Sequence, residues 1–194
     1  GYLYNEYAAI DSRNIAPNGW HVPTDSDWQT LATFLGGQTV AGGKLRETGT
    51  VYWLSPNSCA TNEVGFYARG NGSRSFTDGT FNNLQSQASY WANAVHIRYG
   101  LTYNDCILSK ATGDNNYYRF GFGIRLIKDN GADIGYVIGN DGRKYNTVTI
   151  GTQVWMREDL KETRYRNGDL IPELQDNTSW INATSGARCY YIIP

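Results

Sequence analysis

An α+β domain, with many short strands around one clear amphipathic helix, is the fold class this sequence predicts. Three observations point there. The stretch PTDSDWQTLATFLGG carries helical spacing with a start and a stop. GYVIGNDGRKYNTVTIGTQVWM alternates apolar and polar residues between turn signals. The composition, 194 residues with 40% hydrophobic and 18% charged, is that of a chain folding around one substantial core. A second independent domain would have to be small, so residues 1–194 are read as a single domain.

In chain order, YLYNEYAAI fits a helix or a strand, because the spacing of Leu3, Tyr7 and Ala8 satisfies both. Trp20 to Val22 reads as a short strand. The helix follows over about 24–35: Pro23 stands just ahead, Thr24 is the N-cap with Asp27 three residues on, and Trp28, Leu31, Ala32 and Leu35 recur at helical spacing. Gly36-Gly37 ends it. The Trp28 face must be buried, and Trp20, Trp28, Trp53 and Trp155 are expected to be structural. A shorter helical piece is expected in AGGKLRETG, then loops from Tyr52 to about Tyr90, rich in Gly, Asn and Ser. GFGIRLIKD is a strand candidate. Beyond it, Asn140-Asp141-Gly142 is a turn between apolar runs, and Val148 and Ile150 alternate before a further turn and Val154 to Met156, which fits successive hairpins.

Composition excludes several partners. With a formal net charge of -1 and scattered Lys and Arg, the chain lacks the basic face that nucleic acid requires. No apolar run approaches the roughly 20 residues needed to cross a bilayer, so membrane insertion is not expected, and with no basic-then-apolar leader at Gly1 any export signal is expected to have been removed. The abundance of Tyr (15), Trp (6) and Gly (22) is the mix of surfaces that bind through rigid rings, and favours an extracellular setting. Cys59, Cys106 and Cys189 show no metal-binding spacing with each other or with His21 and His96. They leave open one disulfide with a thiol able to cross-link subunits, or three buried thiols.

The segments LYNEYAA, APNGWHVPTDSDWQTLATFLGG, AGGKLRETGT, WLSPNSCATNEVGFYA, SYWANAV and FGFGIRLIKD resemble the Fibrobacter succinogenes major paralogous domain, a family of bacterial secreted and surface proteins. GRKYNTVTIGTQVWMREDLKETRYRNGDLIPELQDNTSWINATSGARCYYI is similar to that family's usual N-terminal portion. The resemblance therefore implies a circularly permuted order: residues 1–129 correspond to the family's C-terminal portion, 130–141 to a Gly-rich joint, and 142–194 to its N-terminal portion. An out-of-phase unit of a tandem array, or a subunit whose end pairs with a neighbour's beginning, would give the same order. GWHVPTD and GFGIRLIKD also resemble segments of the formylglycine-generating-enzyme class, which implies a C-type-lectin-like fold with short twisted strands and long loops. The strand-to-helix switch at Trp20–Trp28 is then a framework joint.

Three functions follow as expectations. A formylglycine-generating-type oxidase needs a cysteine pair to hold copper, whereas only Cys106 stands near the final sheet; Asp25 and Asp27 belong to a helix first turn, where the macrodipole favours carboxylates, and with Glu47 they do not make an acid–base site. The chain is therefore expected not to be an enzyme. As a ligand-binding domain, for a receptor or a glycan and with a retroelement-diversified face by analogy of fold, it would use Trp91, His96, Arg98, Tyr99, Tyr103, Asn104, Asp105, Asn116, Tyr117 and Tyr118. As an assembly unit it would use its ends: Tyr2, Tyr4, Tyr7, Tyr190, Tyr191, Ile192 and Ile193. No cofactor or metal is expected; calcium, which lectin-like loops use, finds oxygens near Asn62-Glu63 and Asp129-Asn130 with Asp133 but no matching spacing. The combined expectation is a non-catalytic module for adhesion, or for self-assembly into a fibre or sheath, at a bacterial cell surface. Its partners would be copies of itself, another surface protein or a glycan.

Overall fold

The computed structural model describes residues 1–114 and 116–191; Ile192 and Ile193, expected to serve assembly, lie outside the described residues. The fold is mixed α+β, mostly sheet with few and short helices. It opens with β1 (Leu3–Tyr4) and α1 (Glu6–Ala9), so the ambiguous start is a strand and then a helix. Asn5 makes the switch. Its Oδ1 accepts the Ala8 N–H at 3.1 Å as a helix cap, and also the Ala187 N–H at 2.9 Å.

After β2 (Trp20–His21) comes α2 (Asp25–Phe34), held by a full capping box: Thr24 Oγ1 accepts the Asp27 N–H at 3.2 Å and the Asp27 carboxylate accepts the Thr24 N–H at 2.8 Å. The helix buries Trp28, Leu31 and Ala32, as its spacing requires. Gly36 and Gly37 stop it with φ of 96° and 105°. The next helix, α3 (Gln38–Leu45), begins directly afterwards, earlier than AGGKLRETG suggests. Two of its residues, Gly42 and Gly43, let it lie on the backbone of Ile107 and Cys59, where a Cβ would come within 2.2 and 2.4 Å of the two carbonyl oxygens.

The expected loop from Tyr52 to Tyr90 instead contains β3 (Asn71–Arg74), β4 (Phe81–Leu84) and the start of β5 (Gln87–Trp91). With β6 (Ile97–Thr102) and β7 (Ser109–Thr112) these form a five-stranded sheet, order β4-β3-β5-β6-β7. NGSR and FNNL carry no apolar alternation because the sheet is tied by a buried arginine: Arg74 donates to the carbonyls of Gly79 and Gln175, each at 2.8 Å, and stacks on Trp180 at 4.6 Å.

The second five-stranded sheet, order β2-β8-β11-β10-β9, comprises β2, β8 (Ile127–Lys128), β9 (Tyr136–Ile138), β10 (Lys144–Ile150) and β11 (Gln153–Met156). The expected hairpins are present, β9 with β10 around Asn140-Asp141-Gly142 and β10 with β11. Two expectations are corrected. Only Ile127–Lys128 of GFGIRLIKD lies in a strand, because Gly121 to Gly123 make single bridges to Arg74, Tyr4 and Tyr90 as the chain passes between sheets. The Gly-rich 130–141 segment is not all linker, since it contains β9, whose Val137 is buried in the core.

A short helix α4 (Asn177–Ile181) precedes β12 (Arg188–Cys189), which pairs antiparallel with β1, Leu3 opposite Cys189 and Tyr4 opposite Arg188. Residues 1–128 and 142–191 therefore share one body. Trp155 lies opposite Ile127, and the Met156 and Leu160 N–H groups donate to the carbonyls of Leu126 and Ile124 at 3.0 and 2.9 Å. The core has two principal clusters, one containing Trp20, Trp91 and Tyr165, the other Trp28, Trp53 and Trp155. No helix among the described residues is long and apolar enough to cross a membrane.

Cys59 and Cys106 form a disulfide across 47 residues, and Cys189 is a buried free thiol pushed up to about 12 by desolvation. Such burial removes Cys189 as a cross-linker between subunits. Closing a chain loop of this length restricts the unfolded ensemble, so reduction is expected to cost about 2–4 kcal/mol, read as a lower urea midpoint with reductant than without; an unchanged midpoint would show that the bond constrains nothing.

Candidate functional site

A charge pair is buried in the core. Arg125, flanked by the buried Ile124 and Leu126, lies in the chain crossing just before β8; Asp159 follows β11. Arg125 Nε donates to Asp159 Oδ1 at 2.6 Å, Nη1 to the carbonyls of Phe66 (2.6 Å) and Met156 (3.1 Å), and Nη2 to that of Tyr67 (3.0 Å). The Tyr90 hydroxyl and the Asn71 amide donate to the two Asp159 oxygens at 3.2 and 3.1 Å. Burial pushes the Asp159 carboxyl up, but the Arg125 guanidinium and these hydrogen bonds hold it below the usual carboxylate range. Burial also pushes the Tyr90 phenol up, with Asp159 adding to it, so that it stays a neutral donor.

This pair fixes the backbone on both sides of a cavity of about 580 Å³, within the range of small-molecule sites. The Tyr67 carbonyl and the Met156–Asp159 segment are held by the same guanidinium, which sets Tyr67 and Arg157 against each other: the Arg157 guanidinium lies 4.6 Å over the Tyr67 ring. A second stack stands in the wall, with Arg69 3.7 Å over Tyr52 and bonded through Nε to Glu47 at 2.5 Å. Tyr190 and Tyr191, after β12, complete the lining. Tyr191 is fixed, its hydroxyl donating to the Asn82 carbonyl at 2.6 Å and accepting the Ser73 N–H at 3.1 Å. Gly72, with φ of 63°, makes that approach possible, since a Cβ there would meet the hydroxyl at 2.0 Å.

The site is composite. Tyr52, Tyr67, Arg69 and Asn71 come from the first 128 residues, and Asn146, Arg157, Lys161, Tyr190 and Tyr191 from the segment after 142. Among the described residues the side chains of Arg157 and Lys161 form no ion pair or hydrogen bond, whereas Glu158 accepts from Asn146 N and Nδ2 at 2.8 and 2.6 Å. Rings, uncommitted cations and phenol hydroxyls equip the cavity for binding.

The residues expected to form a ligand face between 91 and 118 divide. Trp91 and Tyr99 are corrected to core residues, each 0% exposed: the Trp91 indole donates to the Tyr4 carbonyl at 2.7 Å, and Tyr99 stacks on Trp28 at 5.1 Å with its hydroxyl on Asp25 at 2.8 Å. Both faces of β5 and β6 are covered at this point: Tyr99, opposite Tyr90, faces α2, and Trp91 points to the other side and packs on Phe122 at 4.7 Å. Arg98 is engaged with the Tyr117 hydroxyl at 2.9 Å, Tyr103 packs half-buried on the Trp28 cluster, and Asp105 caps its own turn through Thr102 and the Ile107 N–H. Asn104 and Asn116 are exposed at separate turns. His96 and Tyr118 do meet: His96 Nδ1 is 3.0 Å from the buried Glu6, and Tyr118 stacks on Tyr7 at 4.8 Å and meets the His96 ring edge-on at 4.4 Å.

Of the terminal residues, Tyr4 is fully buried with its hydroxyl on the Glu162 carbonyl at 2.9 Å, so it cannot serve a neighbour. Tyr2 packs on Tyr190 at 5.8 Å, and Tyr191 belongs to the cavity wall. The groups weighed for calcium have other partners: Asn62 caps the Tyr67 N–H at 2.9 Å, Glu63 pairs with Lys44 at 3.0 Å, Asp129 with His21 at 2.5 Å, and Asp133 with Thr149 at 3.2 Å. Among the described residues there is no group of three His, Cys, Asp or Glu placed to hold a metal. Cys106 offers no free thiol, being bonded to Cys59.

A model of the family described as the Fibrobacter succinogenes major domain matches residues 1–128. No curated protein and no solved structure matches the chain.

Proposed function

The chain belongs to the Fibrobacter succinogenes major domain family, and from that premise we propose that it is a non-catalytic adhesion module of a bacterial cell surface. Its fold would be C-type-lectin-like in the formylglycine-enzyme form, in permuted order, and it would recognise its ligand in the composite cavity. The single observation that carries the reading is that cavity, walled by two Arg–Tyr stacks and two further tyrosines drawn from both ends of the sequence. The pairing of β1 with β12 within one chain favours ligand capture over donation of a terminal strand to a neighbour. The Cys59–Cys106 bond supports an oxidising, exported setting, and by consuming Cys106 it weighs against the thiolate chemistry of a formylglycine-generating oxidase. Long irregular loops around the helix α2, with Trp20 and Trp28 buried at the strand-to-helix switch, support the lectin-type reading.

The test is an oligosaccharide array probed with the intact chain and with a Tyr52→Ala, Tyr67→Ala double variant. Binding of at least one neutral or acidic glycan is expected, and its loss in the double variant at a temperature where that variant is still fully folded by circular dichroism. Binding that survives the double variant, or no binding at all, would overturn the reading.

A further inference from the structure

The charges around the cavity do not cancel. Its lining carries Arg69, Arg125, Arg157 and Lys161 against Glu158 and Asp159, although the chain as a whole has a formal net charge of -1. Arg125 and Asp159 neutralise each other at 2.6 Å and Arg69 is paired with Glu47, whereas Glu158 is hydrogen-bonded only by the neutral Asn146 and keeps its negative charge. The cations that remain are Arg157 and Lys161, with no carboxylate bound to either among the described residues. An anion entering this space would meet two cations free of ion pairs and one carboxylate, Glu158, whose oxygens are already taken up by Asn146, a local excess of positive charge.

Geometry adds a second requirement. The Arg157 guanidinium carbon is held 4.6 Å from the centre of the Tyr67 ring, and a guanidinium kept over a ring by cation–π attraction still has N–H groups to pair with a carboxylate. The aromatic faces offer apolar, electron-rich surface to the C–H side of a sugar ring, and the hydroxyls of Tyr52, Tyr67 and Tyr190 form no hydrogen bond among the described residues, leaving them for a polyhydroxylated ligand. We propose that the cavity binds a carboxylated saccharide, its ring against the tyrosines and its carboxylate on Arg157 and Lys161. This rests on the cavity being the recognition site and adds the chemical class of what it takes.

The probes are an α-1,4-linked galacturonic acid trisaccharide and its fully methyl-esterified counterpart, the same skeleton without charge, titrated calorimetrically into the intact chain. The acid is expected to bind at least about tenfold more tightly than the ester, the ordinary worth of a charge-assisted pair, with the difference shrinking as salt is raised. Arg157→Gln with Lys161→Gln is expected to erase that difference, so that acid and ester bind the variant alike. Equal binding of acid and ester would overturn the charge assignment and leave the recognition site standing. An acid preference that survives the double variant would overturn the location. If neither trisaccharide binds while a neutral glycan on the array does, this proposal falls alone; if nothing binds in either experiment, both readings fall.

Discussion

Trp28→Ala is expected to lower the unfolding free energy by about 3–5 kcal/mol, enough to abolish a large share of the stability of a domain this size. Trp28 is fully buried, with Tyr99 stacked at 5.1 Å, Tyr90 at 5.9 Å, Trp155 tilted at 4.9 Å and Phe66 edge-on at 6.3 Å. These rings come from β5, β6, β11 and the segment before β3, so the indole joins α2 to both five-stranded sheets. Removing it leaves a hole whose walls are rings fixed on separate elements, and such walls collapse poorly. Among the described residues the indole N–H has no hydrogen-bond partner, so Trp28→Phe loses packing but no polar contact. It is expected to cost about 1–2 kcal/mol, well under half of the alanine value. Equilibrium denaturation of the three proteins, followed by far-UV circular dichroism, gives both differences. A loss below about 1 kcal/mol for Trp28→Ala would mean that the two sheets are held together elsewhere.

How much of this was legible in the sequence depends on how local the cause is. The helix α2 was, because its cap, its spacing and its glycine stop all lie within Thr24 to Gly37. The β9–β10–β11 hairpins were, because turn residues and alternation are neighbours in the chain. The sheet containing β3 and β4 was not, since Asn71–Arg74 and Phe81–Leu84 are held by Arg74 reaching residues about a hundred positions away. Two residues of the expected ligand face lie in the core for a related reason. Trp91 and Tyr99 have the residue types of a binding surface, and only the segments packed on the two faces of β5 and β6, Phe122 against Trp91 and Trp28 of α2 against Tyr99, bury them.

The cavity could not be read at all as a set, because its walls come from separate stretches between Tyr52 and Tyr191. Tyr190 and Tyr191 drew attention as terminal residues, for assembly rather than for binding. One signal was present and points to the centre of the site: Arg125 stands between Ile124 and Leu126 in an otherwise apolar strand-like run. A charge there must be buried with a partner or break the strand. The partner, Asp159, is 34 residues away, too far to be paired by spacing.

The loss of Asp159 is expected to be as damaging as the loss of Trp28, for an electrostatic reason. Asp159→Ala leaves the Arg125 guanidinium buried without its counter-charge and the Tyr90 hydroxyl and Asn71 amide without their acceptor, at a cost of about 3–5 kcal/mol. Asp159→Asn keeps the shape and one acceptor, and its cost is expected to be smaller but to depend on pH. The carboxyl binds its proton less readily in the folded state than in the unfolded one, so acidification through and below the ordinary carboxylate range of about 4 protonates the unfolded chain first and draws the equilibrium towards it. The pair's contribution is therefore complete above that range and is lost as pH falls towards the depressed value. The native protein should lose stability in this window more steeply than Asp159→Asn, and the two curves should converge at the acid end. Arg125→Met is expected to cost at least as much as Asp159→Ala at neutral pH, because it strands the carboxylate and leaves the Phe66, Tyr67 and Met156 carbonyls without their donor. Because those carbonyls belong to the segments that carry Tyr67 and Arg157, any Arg125 variant that still folds should also bind glycan more weakly. Urea titrations between pH 3 and 8 decide the matter: parallel stability curves for the native protein and Asp159→Asn would show that the buried pair carries no net charge interaction.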